Sequence, residues 1–118
     1  MTDGECIYYY ESGEIESKYN YLGGKLHGEY ISYYLSGDIL SNRNYLEGNL
    51  HGESIRYFIT GEISSNRNYL DDNLHGESIR YSKNGEILRK YYHINGNLVS
   101  ELEWLSYNRN LKLELLGL

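Results

Sequence analysis

The chain has 118 residues, a formal net charge of −6, a single cysteine and no proline. One cysteine excludes an intrachain disulfide and a cysteine-rich zinc site, and the acidic balance argues against a nucleic-acid surface, which needs a basic stripe. No run approaches 18 apolar residues and the start lacks a basic n-region, so the sequence predicts a cytoplasmic protein without a membrane span or signal peptide. Fifteen tyrosines and thirteen glycines favour strands and turns.

The chain repeats itself every 24 residues. The copies at 27–50 and 51–74 share 15 of their 24 residues, and related copies occupy 3–26 and 75–98. A fixed period of this length is typical of repeat proteins, in which each unit buries its apolar face only against its neighbours. We therefore predict one domain over 1–118, with four repeats and an atypical closing unit at 99–118.

Each repeat has the pattern of a β-hairpin. In the second copy, residues 28–35 and 38–45 alternate as two strands, joined by a two-residue turn at Ser36-Gly37. Alternation along the second strand places four side chains on one face: Ile39, Ser41, Arg43 and Tyr45. The turn glycine recurs in every copy, which predicts a positive φ there. Successive hairpins predict an all-β fold, an elongated and twisted antiparallel meander in a single sheet.

Several positions are apolar in every copy, and we predict that they form the buried face. They are Ile7, Ile31, Ile55 and Ile79; Tyr9, Tyr33, Tyr57 and Tyr81; Ile15, Ile39, Ile63 and Ile87; and Leu26, Leu50, Leu74 and Leu98. Residues 99–118 break the period, with apolar and charged residues alternating on both sides of Asn108-Arg109-Asn110. This pattern predicts a C-terminal capping hairpin, and an amphipathic helix over 101–107 is the alternative.

The repeat unit resembles a known family. The pattern G-E-x-I-x-Y-[YF]-x-x-G-[ED]-I, followed by Asn-Tyr-x-x-Gly-x-Leu, resembles the MORN repeat over residues 4–98. It is more similar to the variant, antitoxin-like subfamily than to the standard form, because Glu53-Ser54 stands where the standard unit has a second glycine. The resemblance implies a β-meander with an aromatic-lined groove, acting as a scaffold or binding module. It further implies lipid binding in some members and toxin neutralisation in others.

No residue pattern in the chain predicts catalysis, a metal site or a cofactor. His27, His51 and His75 recur once per hairpin, which places them about 10 Å apart, too far to share one zinc ion. Cys6 lies on a predicted strand without a nearby histidine to activate it. The glutamates that recur beside the histidines are also about 10 Å apart, too far for the paired carboxylates of a retaining hydrolase. We therefore predict that the protein is not an enzyme.

Two surfaces are candidates for binding a protein partner. One consists of aromatic and arginine side chains, which are enriched at interface hot spots: Tyr8, Tyr10, Tyr30, Tyr34, Arg56 and Phe58. The other is a regular acidic row suited to a basic partner: Glu29, Glu53 and Glu77. Cross-strand stacking and a solvated acidic row are the purely structural explanations of the same residues. The first strand is an edge, which predicts a homodimer through that edge unless residues 1–5 cover it.

These observations predict a non-catalytic protein–protein interaction or scaffold module that uses one face of the array. The first alternative is an antitoxin or immunity-type inhibitor that covers a basic toxin site with its acidic surface. The second alternative is a membrane-associated adaptor, which the negative charge disfavours.

Overall fold

The computed structural model describes residues 3–118 as one open antiparallel sheet of ten strands followed by a helix. The first two residues of the predicted domain lie outside this range. The elements are β1 (Gly4–Tyr9), β2 (Ile15–Leu22), β3 (Lys25–Leu26), β4 (Gly28–Tyr33), β5 (Ile39–Leu46), β6 (Asn49–Tyr57), β7 (Ile63–Leu70), β8 (Asn73–Tyr81), β9 (Ile87–Ile94), β10 (Asn97–Val99) and α1 (Glu101–Leu115). The strands follow each other across the sheet in chain order, and both β3 and β4 pair with β2. The predicted single-sheet meander of hairpin repeats is confirmed.

The sheet is a single layer with very little core. The molecule measures 55 × 40 × 21 Å, and among the described residues only Tyr19 and Tyr92 are buried hydrophobic side chains. The recurring isoleucines and leucines are therefore not buried as predicted, and Ile87, for example, stays 55% exposed. Apart from α1 at the C-terminal end, no second layer covers that face in the described part of the chain, so stability rests on strand ladders and cross-strand pairs between neighbouring repeats.

The hairpin turn has three residues, and the predicted two-residue turn is wrong. The Tyr34 N–H donates to the Asp38 carbonyl at 2.8 Å, and the Gly37 N–H donates to the Tyr34 carbonyl at 2.9 Å. Gly37 has a φ of 93°, and its three equivalents are also left-handed. The predicted positive φ is confirmed, and a three-residue loop ending in a left-handed glycine is a common hairpin closure.

A β-bulge beside each of these turns changes which side chains share a face. Ser32 pairs with Ser41 and Tyr33 pairs with Ile39, so Leu40 is an extra residue in β5. Directly paired residues share a face, and one extra residue moves everything beyond it to the opposite side. The predicted common face of β5 is therefore wrong at Ile39, which lies on the side of Tyr33, opposite Ser41. The same register shift recurs in the other three hairpins.

The connections between repeats are two-residue turns. Leu46 pairs with Asn49 across Glu47 and Gly48, whose φ values are 50° and 86°. Two successive positive φ angles are the signature of a type I′ turn, which matches the twist of the flanking strands. The turns of the second, third and fourth repeats also bond to the preceding repeat, as when the Gly48 N–H donates to the Leu26 carbonyl at 2.9 Å. The repeats are thus joined at the turns as well as along the strands.

The closing unit is a helix, and the predicted capping hairpin is wrong. Ser100 caps α1: its Oγ accepts the Glu103 N–H at 3.1 Å, and Glu103 Oε1 accepts the Ser100 N–H at 3.3 Å. This capping box favours the start of a helix at this point. The leucines and charged residues that follow have good helix propensity, so a helix forms although their alternation is typical of a strand. Trp104 stacks on Tyr92 with ring centroids 6.4 Å apart, which holds α1 against the last long strand.

The edges of the sheet are β1 and β10. Gly4 and Glu5 belong to β1 itself, so these residues do not cover its edge, and residues 1 and 2 lie outside the described part. The homodimer through this edge stays a prediction. Within residues 3–118, no helix is both long enough and apolar enough to cross a bilayer.

Candidate functional site

One face of the sheet collects the arginines of five consecutive strands. Directly paired residues form a row across it, in strand order: Tyr8, Ser17, Ser32, Ser41, Arg56, Ser65, Arg80 and Arg89. A second row runs parallel, two residues along the strands: Tyr30, Arg43, Ser54, Arg67, Ser78 and Tyr91. Because paired residues share a face, these side chains lie together. We call this the arginine face, after Arg43, Arg56, Arg67, Arg80 and Arg89.

The C-terminal half of the arginine face forms an open groove of about 770 Å³. Its cationic side chains are Arg56, Arg67, Arg80, Lys83 and Arg89, and its aromatic ones include Tyr34, Phe58 and Tyr91. None of the described residues that line it is acidic. We call it the arginine groove.

The arginine groove is a positively charged region on a protein whose net charge is negative. The chain carries 11 Lys and Arg against 17 Asp and Glu, so the five groove cations leave a formal charge of −11 on the remainder. In the described part of the chain the one ion pair is Lys90–Glu77, at 3.6 Å, and it involves no groove residue. The groove cations are therefore left without an acidic partner in residues 3–118, and an anion placed there meets only positive charge.

At the C-terminal end of the groove, two arginines occupy adjacent positions on neighbouring strands. Arg80 and Arg89 are direct cross-strand partners. An Arg89 N–H donates to the Tyr91 hydroxyl at 3.0 Å, and this hydrogen bond raises the pKa of Arg89 above its ordinary value. Ser78, the cross-strand partner of Tyr91, is 8% exposed, and its Oγ has no hydrogen-bond partner among the described residues. Like charges held opposite each other are unfavourable in a sheet, so this end suits a ligand that neutralises them.

Three segments match the MORN repeat variant family: residues 2–22, 26–47 and 74–95. Together they cover more than half of the chain. The chain belongs to the MORN repeat variant family. No curated protein and no solved structure matches it. MORN repeats commonly serve as protein- or membrane-binding scaffolds and are generally non-catalytic. The antitoxin-like subfamily stays a prediction.

In this MORN array, the predicted aromatic residues separate into two groups. Tyr8 and Tyr30 stack on opposite sides of Tyr19, with ring centroids 6.0 and 4.8 Å away, at the N-terminal end of the arginine face. The Arg43 guanidinium lies over the Tyr30 ring, 4.7 Å from its centroid. This stack buries Tyr19, and the contact between Arg43 and Tyr30 connects it to the arginine rows. The stacked rings therefore stabilise the sheet as cross-strand pairs.

The second group lies beside the hairpin turns. Tyr10 donates its hydroxyl proton to the Tyr33 carbonyl at 2.5 Å, and Tyr34 donates to the Tyr57 carbonyl at 2.6 Å. These bonds tie the first repeat to the second and the second repeat to the third. Phe58 occupies the same position in the third repeat but has no hydroxyl. Tyr34 and Phe58 line the arginine groove with Arg56, as three of the six predicted aromatic and arginine residues, whereas Tyr10 does not.

The predicted acidic row lies on the opposite face of the MORN sheet. Glu29 accepts a hydrogen bond from Asn42 at 2.9 Å, and Glu53 accepts one from Asn66 at 3.0 Å. Glu77 forms the ion pair with Lys90. The structure therefore does not bring these glutamates together with the predicted aromatic residues, and each carboxylate already has a partner.

The candidate residues predicted from the sequence left out Arg43, Arg67, Arg80 and Arg89. Alternation counted from the hairpin turn put Arg43 on the side of Ile39, because it did not include the bulge. Alternation counted from the Ser32–Ser41 pair, which lies beyond the bulge, places Arg43 on the arginine face. The histidines gather at no metal site: within residues 3–118 no three His, Cys, Asp or Glu side chains are placed to hold an ion. His75 Nδ1 instead accepts the Asn95 N–H at 3.1 Å.

Proposed function

We propose that this MORN array is a non-catalytic protein-binding module, and that its partner binds the arginine face through an acidic surface. The observation that carries the proposal is the arginine groove, which gathers five cations and no acid in a chain whose remainder carries −11. Opposite charge across an interface speeds association and selects partners. Arginine and tyrosine beside each other are also the residue types that dominate interface hot spots.

The dimensions favour a protein over a long polyanion. The groove spans strands β6 to β9, which is about 15 Å at about 4.8 Å per strand. A nucleic acid longer than this would extend beyond the groove and meet the acidic remainder of the surface. The 55 × 40 Å sheet has room for the roughly 800 Å² that a stable interface buries on each partner. A partner with a local acidic patch fits both constraints.

Two matched charge reversals test the proposal. The tagged protein is expressed in its native background, and captured proteins are compared by quantitative mass spectrometry at low and high salt. One variant carries Arg56→Glu, Arg67→Glu and Arg80→Glu, and the other carries three reversals on the opposite face: Glu29→Lys, Glu53→Lys and Glu77→Lys. We expect an acidic partner that is lost at high salt and from the arginine variant, yet retained by the glutamate variant.

The opposite pattern of partner loss would support the alternative that the protein is an antitoxin or immunity-type inhibitor. A basic partner lost only from the glutamate variant would contradict the arginine-face proposal and favour an inhibitor that covers a basic toxin site. Thermal melts of both variants, read by circular dichroism, show that the sheet is intact in each. For the membrane adaptor, the decisive result is co-sedimentation of the purified protein with vesicles in the absence of any protein partner.

A further inference from the structure

The fourth repeat differs from the others at one cross-strand pair of the arginine face. The pair is Tyr8 with Ser17 in the first repeat, Ser32 with Ser41 in the second and Arg56 with Ser65 in the third. In the fourth repeat both members are arginine, Arg80 with Arg89. Direct cross-strand partners have Cβ atoms about 5 Å apart, so two arginine side chains leave the sheet next to each other where every other repeat has at least one serine.

Among residues 3–118, the groove lining around this pair adds hydrogen-bond donors and no acidic side chain. Lys83, in the adjacent hairpin turn, lines the same groove. Ser82 Oγ accepts the backbone N–H groups of Asn84 and Glu86 at 3.3 and 3.2 Å, which leaves its hydroxyl proton free to donate. The Tyr91 hydroxyl accepts from Arg89, so its proton is free as well. The site thus offers two guanidinium groups, one ammonium group and two hydroxyl donors.

A phosphate group matches this site better than a carboxylate. A phosphorylated side chain carries a charge of about −1.5 to −2 at neutral pH and three acceptor oxygens. It can therefore compensate both guanidinium groups at once and accept from the hydroxyls. One carboxylate compensates one guanidinium and leaves its neighbour desolvated and unpaired beside it. Arginine clusters recognise phosphorylated segments of proteins by this chemistry.

We propose that Arg80 and Arg89 bind a phosphate group carried on a phosphorylated side chain of the protein partner, with Lys83 beside them. Arg56 and Arg67 then contact acidic residues that flank the phosphorylated one, because they lie one to three strands away on the same face. This inference rests on the proposed function and names the chemistry of the partner's acidic segment.

Three synthetic peptides of one sequence test it. Fluorescein-labelled Gly-Glu-Glu-X-Glu-Glu-Gly, with phosphoserine, glutamate or serine at X, is titrated with the full chain by fluorescence polarisation at about 150 mM salt. We expect the phosphoserine peptide to bind at least about ten-fold more tightly than the glutamate peptide. Equal affinity for these two peptides would overturn the inference.

Two substitutions, each of which replaces an arginine by the serine found at the same position of another repeat, show which arginine gives the phosphoserine preference. Arg89→Ser restores the serine of the other repeats and is expected to reduce the phosphoserine preference to less than about two-fold. Arg56→Ser, which restores the residue of the second repeat, is the matched control and should weaken both peptides to a similar degree. An unchanged preference in Arg89→Ser would contradict the assignment. Unaltered circular dichroism spectra of both variants establish that they are folded.

The failures of the two proposals are distinguishable. If the captured partner requires the arginine face but no peptide shows a phosphoserine preference, the phosphate inference fails and the proposed function stands. If the phosphoserine peptide binds but the arginine variant still captures the partner, the proposed function fails. Vesicles containing a phosphorylated inositol lipid serve as a third probe. Arg89-dependent binding to them, without a peptide preference, would overturn the inference in favour of a lipid headgroup.

Discussion

At the scale of single residues, Asp72 shows how one repeat replaces a glycine. The second turn position is Gly24, Gly48 and Gly96 in the other repeats, and Asp72 has a φ of 70° there. Residues other than glycine adopt this region at some cost, although aspartate tolerates it better than most. Asp72 has a compensating contact, since its Oδ1 accepts the Leu50 N–H at 2.6 Å while its own N–H donates to the Leu50 carbonyl at 3.0 Å.

Two substitutions at this turn separate the conformational and hydrogen-bonding terms. Asp72→Ala keeps the left-handed backbone and loses the carboxylate, so we expect the free energy of unfolding to fall by about 1–2 kcal/mol. Asp72→Gly loses the same bond but relieves the backbone, so the change should stay within about 0.5 kcal/mol. Urea denaturation of both variants measures the difference. Equal stabilities of the alanine and glycine variants would show that the backbone conformation at this position carries no cost.

At the scale of elements, the 24-residue period was sufficient to predict the hairpins, their order and the positive φ of residues such as Gly37. The faces were harder to predict. Leu40 in the second repeat is chemically indistinguishable from an ordinary strand residue, and only the pairing register shows that it is a bulge. That one residue decides whether Arg43 points to the side of Ile39 or to the arginine face. The arginine groove was therefore only partly predicted, through Arg56, Tyr34 and Phe58.

The C-terminal helix was the other element that alternation misassigned. Leucine and charged residues alternate over several positions of 101–115, which favours a strand locally, but Ser100 and Glu103 form a capping box that favours a helix. An isolated helix of this length is marginal in water, so α1 depends on its contact with the sheet. Trp104 provides that contact by stacking on Tyr92 and packing near Gly76.

Removing this tryptophan is expected to release α1. In Trp104→Ala, amide hydrogen exchange over residues 101–115 should accelerate by at least about ten-fold while strands β4 to β7 keep their protection, because repeats depend mainly on their neighbours. The loss of a half-buried indole should also lower the free energy of unfolding by about 2 kcal/mol. Leu102→Ala is the control, since Leu102 is 74% exposed and should change neither measurement. Unchanged exchange in the tryptophan variant would mean that other contacts hold the helix.

At the scale of the whole molecule, the distribution of charge matters more than its sum. The net charge of −6 predicted a basic partner, yet the sheet places its arginines on one face and the row of Glu29, Glu53 and Glu77 on the other. A single-layer sheet exposes both faces, so one small domain presents two surfaces of opposite character. The acidic row is already engaged by Asn42, Asn66 and Lys90, whereas the groove cations face solvent without acidic partners in the described part of the chain.

The most direct test of the arginine-face proposal is an NMR titration of the labelled protein with its captured partner, following side-chain N–H signals. The Nε–H signals of Arg56, Arg67, Arg80 and Arg89 should shift or gain protection on binding. Arg109 on α1 and the side-chain amides of Asn42 and Asn66, which contact the glutamate row, are internal controls and should stay unchanged. Shifts confined to those two amides, with the groove arginines unaffected, would contradict the proposal and locate the partner on the acidic row.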